Sequence, residues 1–429
     1  MTRSEQMLSA CDKGMPGGMA PIARSAIAKQ HWNVLREDLP LPVALLKQSA
    51  LHHNSRWMRD FLARTGTRIA PHGKTSMSPQ LFDLQIDNGA WAITVSTPHQ
   101  IHVARAFGYP RVVLANQLIG RASIRYVLDE LQRDAGFDFY CLVDSKEAVA
   151  RLAEVAAQRA IGRPLKVLLE GGYVGGRTGC RTFEACMEVA RAVRAAHPQL
   201  TLAGVEGFEG LIKEPSHEAT VASVQAFLQF LGDVARQCDA EGLFTEEQVV
   251  MSAGGSDFYD LVTHAFSALQ LGRPTLNLTR SGCYLTHDSV MYAKTDPLVH
   301  QRNPELAQMG PGLQPAIEVW AYVQSRPEPG LVIATMGKRD VGVDHLPVLQ
   351  HWYRPGGAMR EPVAAPPQHE VLLLNDQHAK LSVPHDSPLA VGDMLGFGIG
   401  HPCLTFDKWR VMTVVDDRYD VVDAISTYF

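Results

Sequence analysis

The sequence predicts an α/β protein in which a (β/α)8 TIM-like barrel is joined to a second, mostly antiparallel β domain. From about residue 41 to residue 285, short apolar runs alternate with longer amphipathic or alanine-rich stretches. Eight such pairs over roughly 240 residues match the size of a (β/α)8 barrel. After residue 285, prolines and glycines multiply and short apolar runs follow one another without long helices between them, which is typical of antiparallel sheets. An open, doubly wound sheet is the alternative for the first part, because counting strands does not establish closure.

Three domains follow from this reading: an N-terminal extension over residues 1–40 that partly joins the β domain, the barrel over 41–285, and the C-terminal β domain over 286–429. The predicted barrel strands are Arg68–Pro71, Trp91–Val95, Val112–Ala115, Phe137–Val143, Leu165–Leu169, Leu200–Val205, Gln248–Ser252 and Thr275–Leu278. The predicted helices are Leu51–Thr65, Pro79–Asn88, Pro98–Phe107, Arg121–Asp134, Lys146–Ala160, Phe183–Ala196, Ala219–Asp239 and Asp257–Leu269. Capping residues support several helix starts, namely Ser78, Thr97, Ser145, Thr182 and Ser256.

Composition and charge exclude several functional classes. An apolar content of 46% and a charged content of 20% describe an ordinary globular protein. The net charge of -5, without a long basic run, argues against nucleic-acid and membrane partners. Residues 1–29 contain no continuous apolar run, so we expect neither a signal peptide nor a membrane-spanning helix there. Seven scattered cysteines without a CxxC pair suit reduced thiols, and we expect a cytoplasmic protein.

A lone lysine follows the first predicted barrel strand, in the segment Pro71-His72-Gly73-Lys74-Thr75. Barrel enzymes carry their functional groups at the C-terminal ends of the strands. Alternation along a strand would place the side chains of His72 and Lys74 on the same face. A lysine desolvated at such a position loses its proton readily enough to act as a nucleophile or a base. On spacing alone, an ordinary solvated lysine is an equally good interpretation.

Glycine-rich turns follow the fifth and sixth strands. In the turn Glu170–Gly179, the glycines let the backbone approach a ligand, and Arg177 could contact an oxygen or a ring nitrogen of that ligand. A surface loop with a solvated arginine is the alternative. The sixth strand ends in the stretch Gly204–Gly210, which contains Glu206.

The turns after strands seven and eight predict a phosphate site. Gly254, Gly255 and Ser256 offer backbone N–H groups and a hydroxyl just before a helix N-terminus, where the helix dipole favours an anion. A second glycine turn, Gly282-Cys283-Tyr284, follows strand eight. Loops after strands seven and eight commonly bind phosphate in barrels. Each turn alone is weak evidence, and the two together are moderately specific.

The C-terminal domain contains two soft donors, His401 and Cys403, at positions i and i+2. On an extended segment both side chains point the same way and can bind one Zn2+. Two protein ligands leave positions open for water and substrate, as a catalytic metal site requires. A buried cysteine beside a hydrogen-bonded histidine is the alternative, and for a bare His-x-Cys it is the more common case.

Taken in order, these motifs resemble those of the D-serine dehydratase and D-threonine aldolase family of pyridoxal-phosphate enzymes, and the resemblance runs from about Leu41 to the C-terminus. Pro71–Thr75 is similar to the family's cofactor-lysine motif, and Arg177-Thr178-Gly179 to its arginine turn. The glycine turns are similar to its phosphate turns, and His401-Pro402-Cys403 to its metal pair. Gln377-His378 stands where the family often has Glu-His.

The resemblance implies an alanine racemase-type fold (fold type III), usually dimeric with its sites near the interface. It implies that Lys74 holds pyridoxal 5'-phosphate and that His401 and Cys403 hold Zn2+ or another divalent metal. The further cofactor contacts that it implies are Arg177, Gly254, Gly255, Ser256, Gly282, Cys283 and Tyr284. His-x-Cys is similar to the zinc-dependent dehydratase branch, whereas the aldolase branch tends to have His-x-Asp. A thiolate prefers Zn2+, while a carboxylate tolerates Mn2+ or Mg2+.

One position departs from the family pattern. Phe208 stands where relatives often carry a tyrosine that contacts the cofactor. Glu206 is then a substitute partner for the pyridine nitrogen, and in that role it would keep the ring protonated. This is a hypothesis about a single side chain, which a structure with Glu206 directed away from the ring contradicts.

From the resemblance we expect an ammonia-lyase that dehydrates a β-hydroxy D-amino acid, such as D-serine or D-threonine, to a 2-oxo acid and ammonia. Lys74 would take the α-proton, His72 and Arg177 would position or polarise the cofactor, and the metal would hold the β-hydroxyl. A retro-aldol lyase of the D-threonine aldolase type is the alternative. Racemisation needs no metal, and a non-catalytic pyridoxal-phosphate-binding protein needs no β domain, so both fit less well.

The sequence leaves the substrate's side chain open, since pocket positions such as Tyr173, Gln117 and Asp340 could select an uncharged or an acidic substrate. The expected partners are a small-molecule D-amino acid and a second copy of the chain in a homodimer. We expect neither nucleic acid nor membrane as a partner.

Overall fold

The computed structural model describes residues 6–159 and 161–429. Residues 1–5 of the predicted extension, and Ala160 at the end of the predicted fifth helix, lie outside the described residues. In chain order the first part contains β1 (Met7–Leu8), β2 (Ile22–Ala23), β3 (Val43–Lys47), α1 (Gln48–Thr65), β4 (Arg68–Ile69), α2 (Pro79–Asp87), β5 (Ile93–Val95), α3 (Pro98–Ala106), β6 (Arg111–Gln117), α4 (Arg121–Arg133), β7 (Asp138–Val143), α5 (Lys146–Ala157), β8 (Leu165–Gly171), α6 (Phe183–Ala195), β9 (Leu200–Gly207), α7 (His217–Ala240), β10 (Val249–Ala253), α8 (Tyr259–Ser267) and β11 (Thr275–Thr279).

The second part is mostly strand. It contains α9 (Met291–Arg302), β12 (Ile317–Glu328), β13 (Leu331–Ala334), β14 (Val348–Tyr353), β15 (Val363–Ala364), β16 (Glu370–Leu374), β17 (Ala379–Ser382), β18 (Met394–Gly398), α10 (Cys403–Phe406), β19 (Val411–Val415) and β20 (Val421–Ser426). Within residues 6–159 and 161–429, no helix has both the length and the apolar character that crossing a bilayer requires.

Eight parallel strands form the first sheet, in the order β4-β11-β10-β9-β8-β7-β6-β5. Its two ends are joined by a parallel bridge between His72 and Thr94. The amide of Thr94 donates to the carbonyl of Pro71 at 3.0 Å, and the amide of Trp91 donates to the carbonyl of Ile69 at 2.7 Å. These bonds close the sheet, so the predicted barrel is confirmed and the open sheet is excluded.

The barrel interior is filled by apolar side chains from all around the ring. Strands such as β9 and β10 are buried along their whole length, because a parallel sheet covered by helices is shielded on both faces. One buried cluster takes members from every strand or its flanking residue, namely Ala70, Ala92, Val113, Leu142, Leu168, Ala203, Val250 and Leu278. Function is therefore expected at the rim and not in the lumen.

Of the five predicted helix caps, three are correct and Ser256 is wrong, while Ser78 directly precedes α2 and its hydroxyl donates to the Gln80 side chain at 3.0 Å. The side chains of Thr97, Ser145 and Thr182 accept a hydrogen bond from the third residue of α3, α5 and α6, which satisfies an amide that the helix leaves unpaired. Ser256 is not a cap, because α8 begins at Tyr259. The residues before Tyr259 belong instead to the glycine turn at the end of β10.

The second sheet has ten strands and is mostly antiparallel, as the sequence predicts. Its central strand β12 pairs antiparallel with β3, β13 and β18, and β3 also pairs in parallel with β19. Trp320 of β12 is fully buried in a cluster that includes Leu8, Ile27 and Val34 from the N-terminal segment. Residues 6–47 therefore contribute both side chains and a strand to this sheet.

Both compact units are built from separated stretches of the chain, in contrast to the contiguous ranges expected from the sequence. The β unit consists of Met1–Met58, Thr75–Gln85 and Cys283–Phe429, and the barrel unit consists of Arg59–Lys74 and Ile86–Gly282. Strand β3 falls inside the range 41–285 that was assigned to the barrel, yet it pairs only within the β unit.

Candidate cofactor and metal sites

Lys74 lies in a single helical turn, Gly73–Thr75, a few residues after β4 ends at Ile69. The expectation that His72 and Lys74 alternate along a strand is therefore wrong. His72 is instead held by its neighbours across the barrel, since its Nε2 lies 3.1 Å from Ser96 Oγ and its amide donates to the carbonyl of Arg280 at 3.2 Å. His72 and Lys74, the two predicted catalytic residues, therefore both lie just after the C-terminal end of the first barrel strand.

His72 is held in its neutral form. Burial lowers its pKa well below the ordinary value, and the positive charges of Lys74, Arg280 and Arg177 lower it further. Its Nδ1 is buried without a hydrogen-bond partner among the described atoms. A neutral imidazole with one uncommitted nitrogen can accept or donate a hydrogen bond to a ligand.

Arg280 is a buried arginine at the barrel rim for which the sequence predicts no role. It directly follows β11, and only 4% of the residue is exposed. Its guanidinium pairs with the carboxylate of Glu206 and donates to Ser252 Oγ at 3.1 Å and to the Gly207 carbonyl at 2.9 Å. The sequence signal that could have identified Arg280 is a lone arginine at the end of an apolar strand, at the same end of the barrel as Lys74.

Glu206 is fully buried beside this arginine. Burial raises its pKa to about 7 against the opposing effect of Arg280, so the carboxyl gains and loses its proton near neutral pH. One carboxylate oxygen is engaged by Arg280, and the other, Oε1, has no hydrogen-bond partner among the described atoms. A role opposite the pyridine nitrogen stays a prediction, which that second oxygen would have to fulfil.

The predicted phosphate turn already holds an anion of the chain itself. The amides of Gly254 and Gly255 donate to the two carboxylate oxygens of Glu209 at 3.0 and 2.7 Å. Gly254 has a φ of 137°, and a Cβ there would meet the Arg280 amide at 2.9 Å, so the turn requires glycine. Burial raises the pKa of Glu209, although the amides lower it. A phosphate would have to displace Glu209 from these amides or use the partly exposed Ser256 and Gly282.

Arg177 extends from the glycine-rich turn after β8. Its guanidinium carbon lies 4.5 Å from the ring centroid of Phe208, a cation–π contact. The Phe208 ring thus supports Arg177. Arg181 fixes the turn by donating to the carbonyls of Gly176 at 2.8 Å and Arg177 at 2.7 Å. The loop is therefore held by its own hydrogen bonds.

Four other positions named from the sequence have partners within the protein. A cofactor contact was predicted for the first of them, and a role in selecting the substrate for the other three. The pairs are Tyr284 with Gln85, Gln117 with Glu170, Tyr173 with Phe227, and Asp340 with Lys13. The last pair is an ion pair at 2.6 Å with Asp340 almost fully buried, which indicates that this carboxylate has a structural role.

Three soft donors converge in the β unit. One ligand atom each from Cys283, His401 and Cys403 lies within 4.8 Å of the other two. The sulfurs of Cys283 and Cys403 are 3.9 Å apart, and the Thr75 hydroxyl lies 3.7 Å from the first and 3.6 Å from the second. Cys403 begins the short helix α10, so the extended segment expected for His401 and Cys403 is wrong, although their donors do converge.

The three side chains of this cluster shift one another's pKa values. A hydrogen bond with Cys283, and then the adjacent His401, lower the pKa of Cys403 to about 4, although burial opposes them. The same bond to Cys403 and burial raise the pKa of Cys283 well above its ordinary value. Burial lowers the pKa of His401, but the neighbouring Cys403 outweighs it and the net shift is upward. A thiolate, a thiol and an imidazole at this spacing suit Zn2+ in size and softness.

The barrel rim fits the other predicted group, pyridoxal 5'-phosphate, in part. It offers a lysine, a neutral histidine with an unpartnered nitrogen, and a carboxyl with an unpartnered oxygen. The phosphate turn has the right shape, but Glu209 occupies two of its donors. The groups at the lysine and ring end therefore suit the cofactor chemically, and at the phosphate end the fit depends on that carboxylate.

Two models of known protein families match this chain, one over the barrel region and one over the β-rich region. Residues 46–285 match the family model "Alanine racemase, N-terminal domain", and residues 316–415 match "Putative serine dehydratase domain". The chain is 29% identical over 243 residues to a 3-hydroxy-D-aspartate aldolase of Paracoccus denitrificans (strain Pd 1222). That alignment covers 55% of this chain and 60% of the aldolase, so the chain spans less than two thirds of the length of this relative.

Solved structures share the whole fold at low identity. D-threo-3-hydroxyaspartate dehydratase from Delftia sp. HT23 aligns with a TM-score of 0.71 and 20% identity over 92% of this chain and 99% of its own. D-threonine aldolase from Filomicrobium marinum aligns with a TM-score of 0.72 and 20% identity over 91% and 95%. Because the first family model covers more than half of the sequence, the chain belongs to the alanine racemase N-terminal domain family, within the D-serine dehydratase and D-threonine aldolase-like group of pyridoxal-phosphate enzymes.

Proposed function

We propose that this protein is a pyridoxal-phosphate- and zinc-dependent lyase that dehydrates and deaminates a β-hydroxy D-amino acid to a 2-oxo acid and ammonia. The observation that carries the proposal is the convergence of His401 and Cys403 in the β unit. Racemisation has no use for such a site, whereas expulsion of a β-hydroxyl needs a Lewis acid. The names of the relatives, all of which refer to β-hydroxy amino acids, support the same substrate class.

The barrel rim supplies the acid–base groups. Bound pyridoxal 5'-phosphate contributes an electron sink for the substrate's Cα. Lys74 would hold the cofactor, and its Nζ would accept the α-proton of the substrate. The neutral His72 hydrogen-bonds without adding charge, and Glu206 can hold or release a proton near neutral pH.

The β unit supplies the ligands for the metal. A divalent metal contributes Lewis acidity toward the substrate's β-hydroxyl. His401 and Cys403 would hold such a metal. The α-proton ends on Lys74, the hydroxyl leaves with its bonding electrons, and hydrolysis of the resulting enamine gives the 2-oxo acid and ammonia. Because the proposal assigns the Lewis acidity to this metal, its removal should stop the reaction.

Retro-aldol cleavage is the second candidate. It is favoured by the match to an aldolase at 29% identity, the highest identity among the three relatives described above. In this reaction the β-hydroxyl loses a proton and the Cα–Cβ bond breaks, which gives glycine and an aldehyde. The same residues serve both reactions, so their identities do not separate the two.

One assay separates the candidates. Cofactor-loaded protein is incubated with D-serine, D-threonine or 3-hydroxy-D-aspartate, with and without a chelator, and 2-oxo acid, ammonia, glycine, aldehyde and L-isomer are measured. We expect 2-oxo acid and ammonia in equal amounts, loss of both on chelation, and recovery on addition of Zn2+. Glycine and an aldehyde in equal amounts, without ammonia, would establish the aldolase instead. The L-isomer as sole product would contradict both lyase reactions.

We also propose that the protein acts as a homodimer in the cytoplasm, which rests on family analogy and on the scattered cysteines. Light scattering on the cofactor-loaded protein tests the first point. A mass of a single 47.1 kDa chain at micromolar concentration would contradict the dimer.

A further inference from the structure

The soft-donor cluster contains one sulfur more than the predicted His401–Cys403 pair. The Sγ of Cys283 lies 3.9 Å from that of Cys403, and both fall with a His401 nitrogen inside the 4.8 Å limit. In the described parts of the chain, this is the one group of three such donors with that spacing. A tetrahedral Zn2+ with ligand bonds of about 2.0–2.3 Å places its donors roughly 3.3–3.8 Å apart, so the two sulfurs, at 3.9 Å, are within about 0.1 Å of the spacing around one ion.

The position of Cys283 is fixed from two sides. It is 5% exposed, and the Thr75 hydroxyl lies within 3.7 Å of both sulfurs. A hydroxyl placed between two sulfurs is the kind of outer contact that orients metal ligands. Cys180 and Cys186 also interact as a pair of buried thiols, but they belong to no group of three donors among the residues described. A buried thiol pair therefore does not by itself produce such a cluster in this fold.

We propose that Cys283 is the third protein ligand of the metal, so that the site is Cys2His with one exchangeable position. Two thiolates and a neutral imidazole balance the charge of Zn2+ and leave the fourth tetrahedral position for water or a substrate oxygen. Two thiolates also favour Zn2+ and Co2+ over Mg2+ and Mn2+. The proposal deepens the metal requirement of the proposed function, but it is tested by metal binding without substrate.

Zinc K-edge X-ray absorption of the zinc-loaded, full-length protein tests the ligand set directly. We expect two sulfurs at about 2.3 Å and one nitrogen at about 2.0–2.1 Å in the wild type. Cys283→Ser should show one sulfur, and Cys186→Ser, which alters the other buried thiol pair, should keep two. A single sulfur in the wild type overturns the proposal, whatever the folding of the variants.

Metal affinity gives a second measurement. Competition with a chromophoric chelator should show that Cys283→Ser binds Zn2+ at least about a hundredfold more weakly, beyond the loss that outer contacts usually cause. The Co2+ form of the wild type should show sulfur-to-metal charge-transfer absorption that falls by about half in the variant. Unchanged affinity, or a Cys283–Cys403 disulfide that persists in the metal-loaded protein, overturns the proposal. Two sulfurs without lyase activity would support the ligand set and contradict the proposed function.

Discussion

The barrel unit and the β unit each gather reactive side chains, but by different physical means. The barrel rim brings together ionisable groups in nearly dry surroundings, and two of its buried carboxyl groups have partners within the protein, Glu206 in Arg280 and Glu209 in two amides. The cluster of Cys283, His401 and Cys403 is built from small, polarisable donors, and the carboxyl groups of Asp288 and Asp344 act on His401 from outside it. The side chains of the barrel rim suit proton transfer, and those of the cluster suit the binding of a cation.

This difference predicts that the two sets respond independently to substitution. Loss of a barrel residue should change protonation, cofactor binding and stability. Loss of a cluster residue should change metal binding and leave the cofactor in place. Four experiments test that separation.

The largest effect is expected for Lys74→Ala. Removal of the cofactor anchor and α-proton base should lower activity by at least about a thousandfold, because general-base catalysis alone contributes about 10²–10⁴. Borohydride reduction and peptide mass spectrometry should find the cofactor on Lys74 in the wild type and on no residue in the variant. Zinc content should not change. Lys146→Ala, at an exposed lysine paired with Glu188, is the control and should keep the cofactor.

Arg280→Met should destabilise the barrel unit. It leaves Glu206 buried without its counter-charge, and loss of one member of a buried pair costs about 3–5 kcal/mol. The loss should be smaller below pH 7, because Glu206 can then take up a proton. Urea unfolding at pH 6 and pH 8 measures both values. Equal stability of variant and wild type at pH 8 would show that the pair is not a structural requirement.

Cys403→Asp should change the preferred metal without affecting the barrel. A carboxylate in place of the thiolate should lower the preference for Zn2+ over Mn2+ by at least about tenfold, since hard ligands suit hard cations. Metal content after dialysis against equal Zn2+ and Mn2+ gives the ratio, and cofactor absorbance should stay at the wild-type level. Cys11→Asp, at an exposed cysteine, is the control. A lost cofactor signal would show that the two sets are not independent.

The smallest effect is expected in the pH dependence of stability. Burial raises the pKa of Glu206 to about 7 in the folded state, whereas an unfolded glutamate has a pKa near 4.3. Between these values the folded state binds more protons, so this residue's contribution is fully present below about pH 4.3 and is lost as pH rises through about 7. In urea unfolding, the free energy of unfolding should therefore fall less between pH 5 and pH 8 for Glu206→Gln than for the wild type.

Two other groups help to interpret the dependence of the unfolding free energy on pH. His72 acts in the opposite direction: its folded pKa is depressed, so its contribution is present above about pH 6.5 and is lost as pH falls. Glu241 has a pKa of about 2 because of its hydrogen bond with Arg191. The pH range in which it changes the stability therefore lies below that of Glu206. Glu241→Gln should leave the slope between pH 5 and pH 8 unchanged. The same slope in Glu206→Gln and the wild type would contradict the assignment.

The fold could be predicted because periodicity and turn chemistry are local signals. All eight barrel strands lie within two residues or so of their predicted positions, and three of the proposed caps form. Strand β3 was misplaced, because an apolar run such as Val43–Lys47 looks the same in a barrel and in an antiparallel sheet. Its partners, β12 and β19, lie hundreds of residues away, and no local signal names them.

The sites were predicted where the residues were close in sequence. His401 and Cys403 could be paired from their spacing, whereas Cys283 joins them from 120 positions away. The Arg280–Glu206 pair likewise spans 74 positions. The engagement of Gly254 and Gly255 by Glu209 could not be foreseen, because glycine turns reveal donors but not which acceptor reaches them.

The pairing of β3 also has a consequence for biosynthesis. This strand leaves the ribosome about 270 residues before β12, so at about 5–20 residues per second it waits roughly 15–50 s for a partner. All eight barrel strands are completed during that interval. The barrel unit can therefore form co-translationally, whereas the apolar strand Val43–Lys47 stays without its sheet until the last third of the chain emerges. Premature termination before β12 would leave a folded barrel with an unpaired, aggregation-prone strand at its N-terminal side.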